Sequence, residues 1–226
     1  MTKNRSNLTE PIQKRSALEE LIRTNATETT LPPKKVFLEP GDILSGVYYI
    51  AEGRTSHYII ALDGSEKLLY TLTAGWFFGE TPCYLEEPTG LFSKAETKTV
   101  LYKIPGDRYT QLMDTSKGFR DAILENYSKK MHILRHEVED LVFNSCKDRL
   151  KCLFCSLADT SKLCEGQWYD LKIYYTQYEL STIVGSARVT ITKSINELCS
   201  EGAIRLLNRN VQVNAKVYEK MIIDEE

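Results

Sequence analysis

What this sequence has little of excludes several functions at once. There are three histidines in 226 residues, His57, His132 and His136. His132 and His136 stand four apart on a helical stretch, a spacing that can ligate a metal, but no third ligand accompanies them. Surface or interface positions are expected for both. No nucleophile motif and no glycine-rich phosphate loop occurs, so an enzyme is not expected. Apolar runs fall far short of the ~18 residues a membrane-spanning helix needs. The opening "MTKNRSNLTEPIQKRS" is polar and lacks the apolar core of a signal peptide. The sequons at Asn7 and Asn25 then read as chance matches, and the cytoplasm is the expected location. An excess charge is missing too. A net charge of −2 and a pI near 6.0 give no whole-protein argument for nucleic acid or an anionic membrane. With 42% hydrophobic residues the chain can still bury a core and hold two domains.

Cysteine is present but sparse in the N-terminal half, where Cys83 stands alone; the other five are Cys146, Cys152, Cys155, Cys164 and Cys199. "KCLFCSL" has CxxC spacing, yet Leu150, Leu153, Phe154 and Leu157 mark the stretch as a helix with an apolar face. No second CxxC and no nearby histidine pair completes a zinc site. Core packing is the first reading of these thiols, and no bound metal is expected. A thiol-redox protein using Cys152 and Cys155 is the rival from another function class.

What is there falls into three segments. From about Val36 to Ile104 short strands alternate with turns, rich in Tyr, Ile, Val, Leu and Thr. Asp63-Gly64, between "HYIIAL" and "SEKLLYTL", predicts a hairpin with a type I′ turn. Strands at this spacing imply an antiparallel barrel or sandwich. A helical period starts near Asp114: Phe119, Ile123, Tyr127, Met131, Leu134, Val138 and Leu141 recur every three or four residues. A helix over Phe119–Phe143 is roughly 37 Å long, too long for one small barrel to cover. A second copy of the chain is the natural cover, with Phe119, Ile123, Tyr127, Leu134, Val138 and Leu141 as the interface. From about Asn144 a compact helical unit follows, closed by "IRLL" and "VQV" around Asn208-Arg209-Asn210, which read as a wing. The domains are therefore expected at 1–113, 114–143 and 144–226, in an α+β chain.

The third segment carries the chemistry. In "TQYELSTIVGSARVTITKSINELCSEGAI", Thr176 and Glu179 form a capping box that starts a helix through about Val184. Gly185 supplies a tight turn, and Ser186 is expected to cap a second helix over about 187–200, with Ile191, Ile195 and Leu198 facing inward. This is helix-turn-helix geometry. Thr176, Gln177, Ser186, Arg188, Val189, Thr190, Thr192 and Lys193 are the candidate DNA-binding residues. Arg188 can bind guanine O6 and N7, Val189 can cover thymine methyls, and Lys193 suits a phosphate. Acids and bases balance from Ser145 onward, but no acid lies between Leu180 and Asn196.

With these pieces in place, the chain resembles the CRP/FNR family of bacterial transcription regulators. "FLEPGDILSGVYYIAEG" is similar to the start of that family's sensor barrel, "GWFFGE" to its mid-barrel turn, and the helix-turn-helix stretch to its DNA-binding motif. The resemblance implies a jelly-roll barrel of the cyclic-nucleotide-binding kind, a long dimerisation helix and a C-terminal winged helix-turn-helix domain. It implies a homodimer on a palindromic site in double-stranded DNA, controlled by a small effector in the barrel, with RNA polymerase as a further partner and no membrane. Thr89 and Gly90 stand where cyclic-nucleotide members carry an Arg-Ser pair, so cyclic AMP is not expected. No cysteine precedes Cys83, so an iron–sulfur cluster is not expected either.

Within the family, "DGSEKLLY" and "ENYSKKM" resemble the regulators of reductive dehalogenation (halorespiration), which implies a halogenated phenol as effector. Tyr70, Tyr127 and Lys130 are similar to residues that meet the effector there, with Gly79, Glu80 and Thr81 at the adjoining turn. Glu80 departs from that pattern, because a lysine stands there in those regulators. A phenolate would pair Lys130 beside the apolar stripe; otherwise Lys130 snorkels to solvent. Val189 in place of glutamate implies an AT-rich operator.

Overall fold

The strand-rich segment folds as two four-stranded sheets, ordered β1-β8-β3-β6 and β2-β7-β4-β5. The computed structural model describes residues 16–208 and 210–223. The sequon at Asn7, Arg209 of the expected wing and the acids at 224–226 lie outside them. The strands are β1 (Thr27–Leu31), β2 (Val36–Leu38), β3 (Gly46–Glu52), β4 (Arg54–Ile60), β5 (Glu66–Thr73), β6 (Phe77–Phe78), β7 (Phe92–Ala95) and β8 (Thr99–Pro105). The pairings of β8 with β1 and β3, of β3 with β6, and of β7 with β2 and β4 are antiparallel. Helices α1 (Ser16–Thr24), α2 (Glu80–Leu85) and α3 (Gly106–Thr115) flank these strands in sequence, and α4 (Lys117–Phe143) is the long helix.

The C-terminal part comprises α5 (Cys146–Ser156), β9 (Ala158–Cys164), β10 (Trp168–Leu171), α6 (Gln177–Val184), α7 (Arg188–Ser200), β11 (Ile204–Leu207), β12 (Asn210–Asn214) and α8 (Ala215–Ile223). Its sheet is ordered β11-β12-β10-β9. The chain divides into two compact units: among the described residues, one holds 16–59 and 68–135, the other 60–67 and 136–223. In the second unit Lys67 Nζ donates to Glu137 Oε2 at 2.6 Å and to the Ile183 carbonyl at 2.7 Å.

In the barrel unit β3 is buried on both faces, which alternation makes possible. Val47, Tyr49 and Ala51 pack with Ile22, Ile104, Tyr109, Leu112 and Phe119, while Tyr48 stacks on Phe78. In the C-terminal unit Leu150, Leu153, Phe154 and Cys155 from α5 join Leu180, Val184, Ile191, Ile195 and Leu198 in one core. Cys155 is thus a packing residue, and Cys152 beside it is half-buried.

Three expectations need correction. The hairpin at Asp63-Gly64 forms, but its turn is not type I′: Gly64 has φ +79° and Asp63 is not left-handed. The Ala61 amide donates to the Ser65 carbonyl and the Gly64 amide to the Ala61 carbonyl, closing a three-residue loop. Such a loop needs one left-handed residue, and Asp63 Oδ1 accepts from the Ser65 amide and hydroxyl instead. Two adjacent left-handed residues do occur, at Glu165 (φ +48°) and Gly166 (φ +71°), between β9 and β10. The sequence places that hairpin within a helical unit, because "ADTSKLC" shows no clean alternation of apolar and polar residues, and the strand it forms is mostly exposed.

The third correction concerns the long helix. Phe119 and Ile123 are 0% and 4% exposed and pack in their own barrel core, so they leave the expected dimer row. Phe119 meets Phe77 edge-on at 5.7 Å, and Asn126 Oδ1 accepts the Phe77 amide at 3.1 Å. A stripe of helical period looks the same whichever surface covers it. The uncovered apolar residues are Leu124, Tyr127, Met131, Val138 and Leu141, followed at the end of the helix by Val142 and Phe143, with Leu134 half-buried.

Candidate nucleic-acid interface and effector site

Thr176 caps α6 as the sequence indicates. Its hydroxyl accepts the Glu179 amide at 3.2 Å, and Glu179 Oε2 accepts the Thr176 amide at 2.7 Å, a complete capping box. Thr176→Ala is expected to cost about 1 kcal/mol, read as a lower midpoint in a denaturant titration. Gly185 ends α6 in the left-handed conformation, φ +69°, with Lys67 Cδ 2.8 Å from where a Cβ would stand. Ser186 is not the cap of α7. Its amide donates to the Ser181 carbonyl, closing α6, and Ala187 takes the N-cap position with no side-chain bond. Extended Ala187 in the cap position sets the start of α7 at Arg188, one residue later than expected.

Ile191, Ile195 and Leu198 anchor α7 inward, which leaves Arg188, Val189, Thr190, Thr192 and Lys193 exposed. Gln177 is tied to this row: Thr192 Oγ1 donates to Gln177 Oε1 at 3.1 Å. Val189 is 82% exposed, an apolar side chain with no cover. Arg188 lies over the ring of Tyr178, Cζ 4.7 Å from the centroid, a partner that the reading of the sequence did not single out. The wing, β11 paired with β12 from Ile204↔Val213 to Leu207↔Asn210, follows as expected.

In the barrel unit the expected effector residues are partly brought together. Lys130 of α4 is buried and forms an ion pair with Glu80, the first residue of α2, itself buried. Lys130 therefore does not snorkel. Gly79, with φ +84°, is the turn that delivers Glu80 from β6, and Leu44 lies 2.8 Å from where its Cβ would stand. Burial is the larger influence on Lys130 and holds its pKa below the usual lysine value, with Glu80 pulling it back up. Tyr70 is half-buried, and burial foremost, then Glu80, raises its pKa. Thr81 and Tyr127 are exposed, with Thr81 Oγ1 at 3.5 Å from the Tyr127 hydroxyl.

The sequence reading missed the polar group beside this pair. His57 is buried, its Nε2 at 2.9 Å from Thr55 Oγ1 and its Nδ1 at 2.9 Å from Ser93 Oγ. Its ring lies 5.2 Å from Tyr70 and 5.0 Å from Phe78. Thr55 and His57 sit two apart on β4, so period-two alternation was the signal available. Thr89, one of the two residues in place of the Arg-Ser pair, is buried and occupied locally. Its backbone pairs with Gly41 and Asp42, and its hydroxyl accepts the Leu91 amide at 3.3 Å.

Residues 28–116 match the cyclic nucleotide-binding domain family, and residues 148–216 the Crp-like helix-turn-helix domain family. The chain belongs to the CRP/FNR family. It is a DNA-binding transcription regulator with a ligand-binding domain. The CRP-like cAMP-activated global regulator of Mycobacterium tuberculosis is 26% identical over 178 residues, 78% of this chain and 77% of that protein. The transcriptional regulator SdrP of Thermus thermophilus is 28% identical, over 70% of this chain and 74% of its own. Among solved structures, the c-di-GMP-responsive regulator CLP of Xanthomonas campestris superposes with a TM-score of 0.75 at 21% identity, covering 88% of this chain and 98% of that one. CprK in complex with OCPA superposes with a TM-score of 0.68 at 21% identity, covering 92% and 94%. These likenesses establish the fold, a jelly-roll sensor, long helix and winged helix-turn-helix, and the curated relatives named are transcription regulators.

Proposed function

We propose that the protein is an effector-gated regulator that binds, as a homodimer, a palindromic AT-rich operator. The observation that carries this reading is the buried Glu80–Lys130 pair, which joins the barrel turn to the long helix within one unit. An effector that enters the pair acts on both elements directly. Tyr70 and Tyr127 supply aromatic faces with hydroxyl handles beside it, which supports an aromatic, phenolic effector of the halogenated class. Glu80 sets a condition on that class. A phenolate gains Lys130 only by displacing Glu80, whereas a neutral phenol can donate to Glu80 and leave the pair standing. Cyclic AMP is not part of the proposal, because Thr89 and Gly90 offer its phosphate no cation.

The uncovered row Leu124, Tyr127, Met131, Val138 and Leu141 supports a second copy of α4 as partner. The exposed Val189, in a stretch without acids, supports thymine methyls as its contact. A two-fold dimer sets half-sites roughly 34–36 Å apart. RNA polymerase as a further partner and a cytoplasmic location belong to the same proposal.

Fluorescence anisotropy on DNA from upstream of the gene and its neighbours, at controlled salt and with a panel of halogenated phenols, tests the reading. The expected result is tightening with one compound and loss of that response in Lys130→Leu. Tight binding indifferent to every compound would remove the phenolic effector and keep the DNA-binding role.

A further inference from the structure

Arg188 opens α7 and is exposed, and no acid lies within the stretch from Leu180 to Asn196 to hold it. What it touches is Tyr178, the second residue of α6, with the guanidinium carbon 4.7 Å from the ring centroid. We infer that Tyr178 is a positioning residue for DNA reading: its ring is a platform that holds the Arg188 guanidinium, edge outward, for bidentate contact with a guanine. This rests on the assignment of α7 as the reading helix and goes beyond it.

Three observations converge. Arg188 Cζ sits over the Tyr178 ring at 4.7 Å from its centroid, and a guanidinium held by its face on a ring keeps its in-plane N–H donors available, the geometry bidentate recognition needs. The backbone that carries Tyr178 is itself fixed, because α6 is held by the Thr176–Glu179 capping box one residue on either side of the Gln177–Tyr178 pair. The Thr192 hydroxyl lies 3.1 Å from Gln177 Oε1 and 3.0 Å from the Arg188 carbonyl, and its single proton serves one of the two at a time. The side chain of Arg188 is thus referred to the first turn of α6, and Thr192 stands between the Arg188 backbone and that same turn. An unheld arginine gives up ~2 kcal/mol of rotamer freedom when it docks, and a stacked one has given up part of it already.

The test has two readouts. In the free protein, the Arg188 Hδ protons are expected to carry an upfield ring-current shift that Tyr178→Leu abolishes and Tyr178→Phe keeps. Selection from a random duplex library at low salt, with and without the phenol panel, then compares the parent, both Tyr178 variants, Arg188→Lys and the Tyr178→Leu, Arg188→Lys double variant. Tyr178→Leu is expected to weaken preference for one guanine per half-site by about two- to fivefold, the size of an exposed cation–π contact, with salt dependence unchanged. Tyr178→Phe retains the preference, and the double variant loses no more than Arg188→Lys alone. A preference untouched in Tyr178→Leu but lost in Arg188→Lys overturns the platform, as does Tyr178→Phe behaving like Tyr178→Leu. A parent that selects no sequence, or keeps its sequence in Arg188→Lys, overturns instead the assignment on which the inference rests.

Discussion

Glu80→Gln is expected to destabilise the protein by about 3–5 kcal/mol, the cost of stranding one member of a buried ion pair. Both partners are buried, Glu80 at 5% and Lys130 at 7% exposure, so water does not replace the lost carboxylate. Desolvation already lowers the Lys130 pKa from 10.5, and both opposing influences come from Glu80. Without them the folded-state pKa drops further. A lysine whose folded pKa lies below its unfolded value binds fewer protons in the folded state, so stability rises with pH between the two values. The variant is therefore expected to gain stability toward pH 10.5 more steeply than the parent. The double variant Glu80→Gln, Lys130→Met is expected to recover most of the loss, since replacing both partners removes the stranded charge. Denaturant titrations of the three proteins at neutral and alkaline pH decide it. A loss under ~1 kcal/mol in Glu80→Gln would mean that water reaches the pair. An effector consequence follows as well: with Gln at 80, an anionic phenolate no longer competes with a carboxylate for Lys130.

The helix-turn-helix was readable because each of its parts is local. A capping box, a glycine and an apolar i, i+4, i+7 series lie within 30 residues, and Thr176, Gly185, Ile191, Ile195 and Leu198 stand where the pattern puts them. Ser186 has the residue type of an N-cap, but α7 begins at Arg188, so the cap position falls on Ala187 and residue type alone places it one residue early. The Tyr178–Arg188 stack joins positions ten apart across a turn, and no periodicity reports such a contact.

The barrel site was harder for a related reason. Lys130 announces itself as a charge near an apolar stripe, but its partner Glu80 lies 50 residues away. Sequence alone left a ligand and solvent as the competing readings, and the fold supplied a third, an internal counter-ion. Phe119 and Ile123 failed for want of the same information. The helix shows its apolar face, and only the topology says that the first turns meet the protein's own strands.

His57 adds an acid-sensitive element to the same barrel. Burial foremost, and then the charge of Lys130, lowers its pKa from 6.5 to about 3. Hydrogen bonding does not forbid protonation: the neutral ring needs one donor and one acceptor, and the Thr55 and Ser93 hydroxyls can each serve either role. The cost is that of placing a second cation in the interior beside Lys130, with Glu80 already engaged. A group whose folded pKa is depressed contributes stability that is fully present above its unfolded value. That stability is lost as pH falls from 6.5 toward 3. At about 1.4 kcal/mol per pH unit, roughly 3 kcal/mol is expected to be gone by about pH 4.5. Carboxylates elsewhere contribute to any acid unfolding, so the informative quantity is a difference between proteins. His57→Gln is expected to flatten the decline between about pH 6.5 and 4.5 by most of that amount, because an amide does not titrate. Equal slopes for parent and variant would mean that His57 reaches a counter-charge or water on protonation, and that the barrel interior opens before the histidine charges.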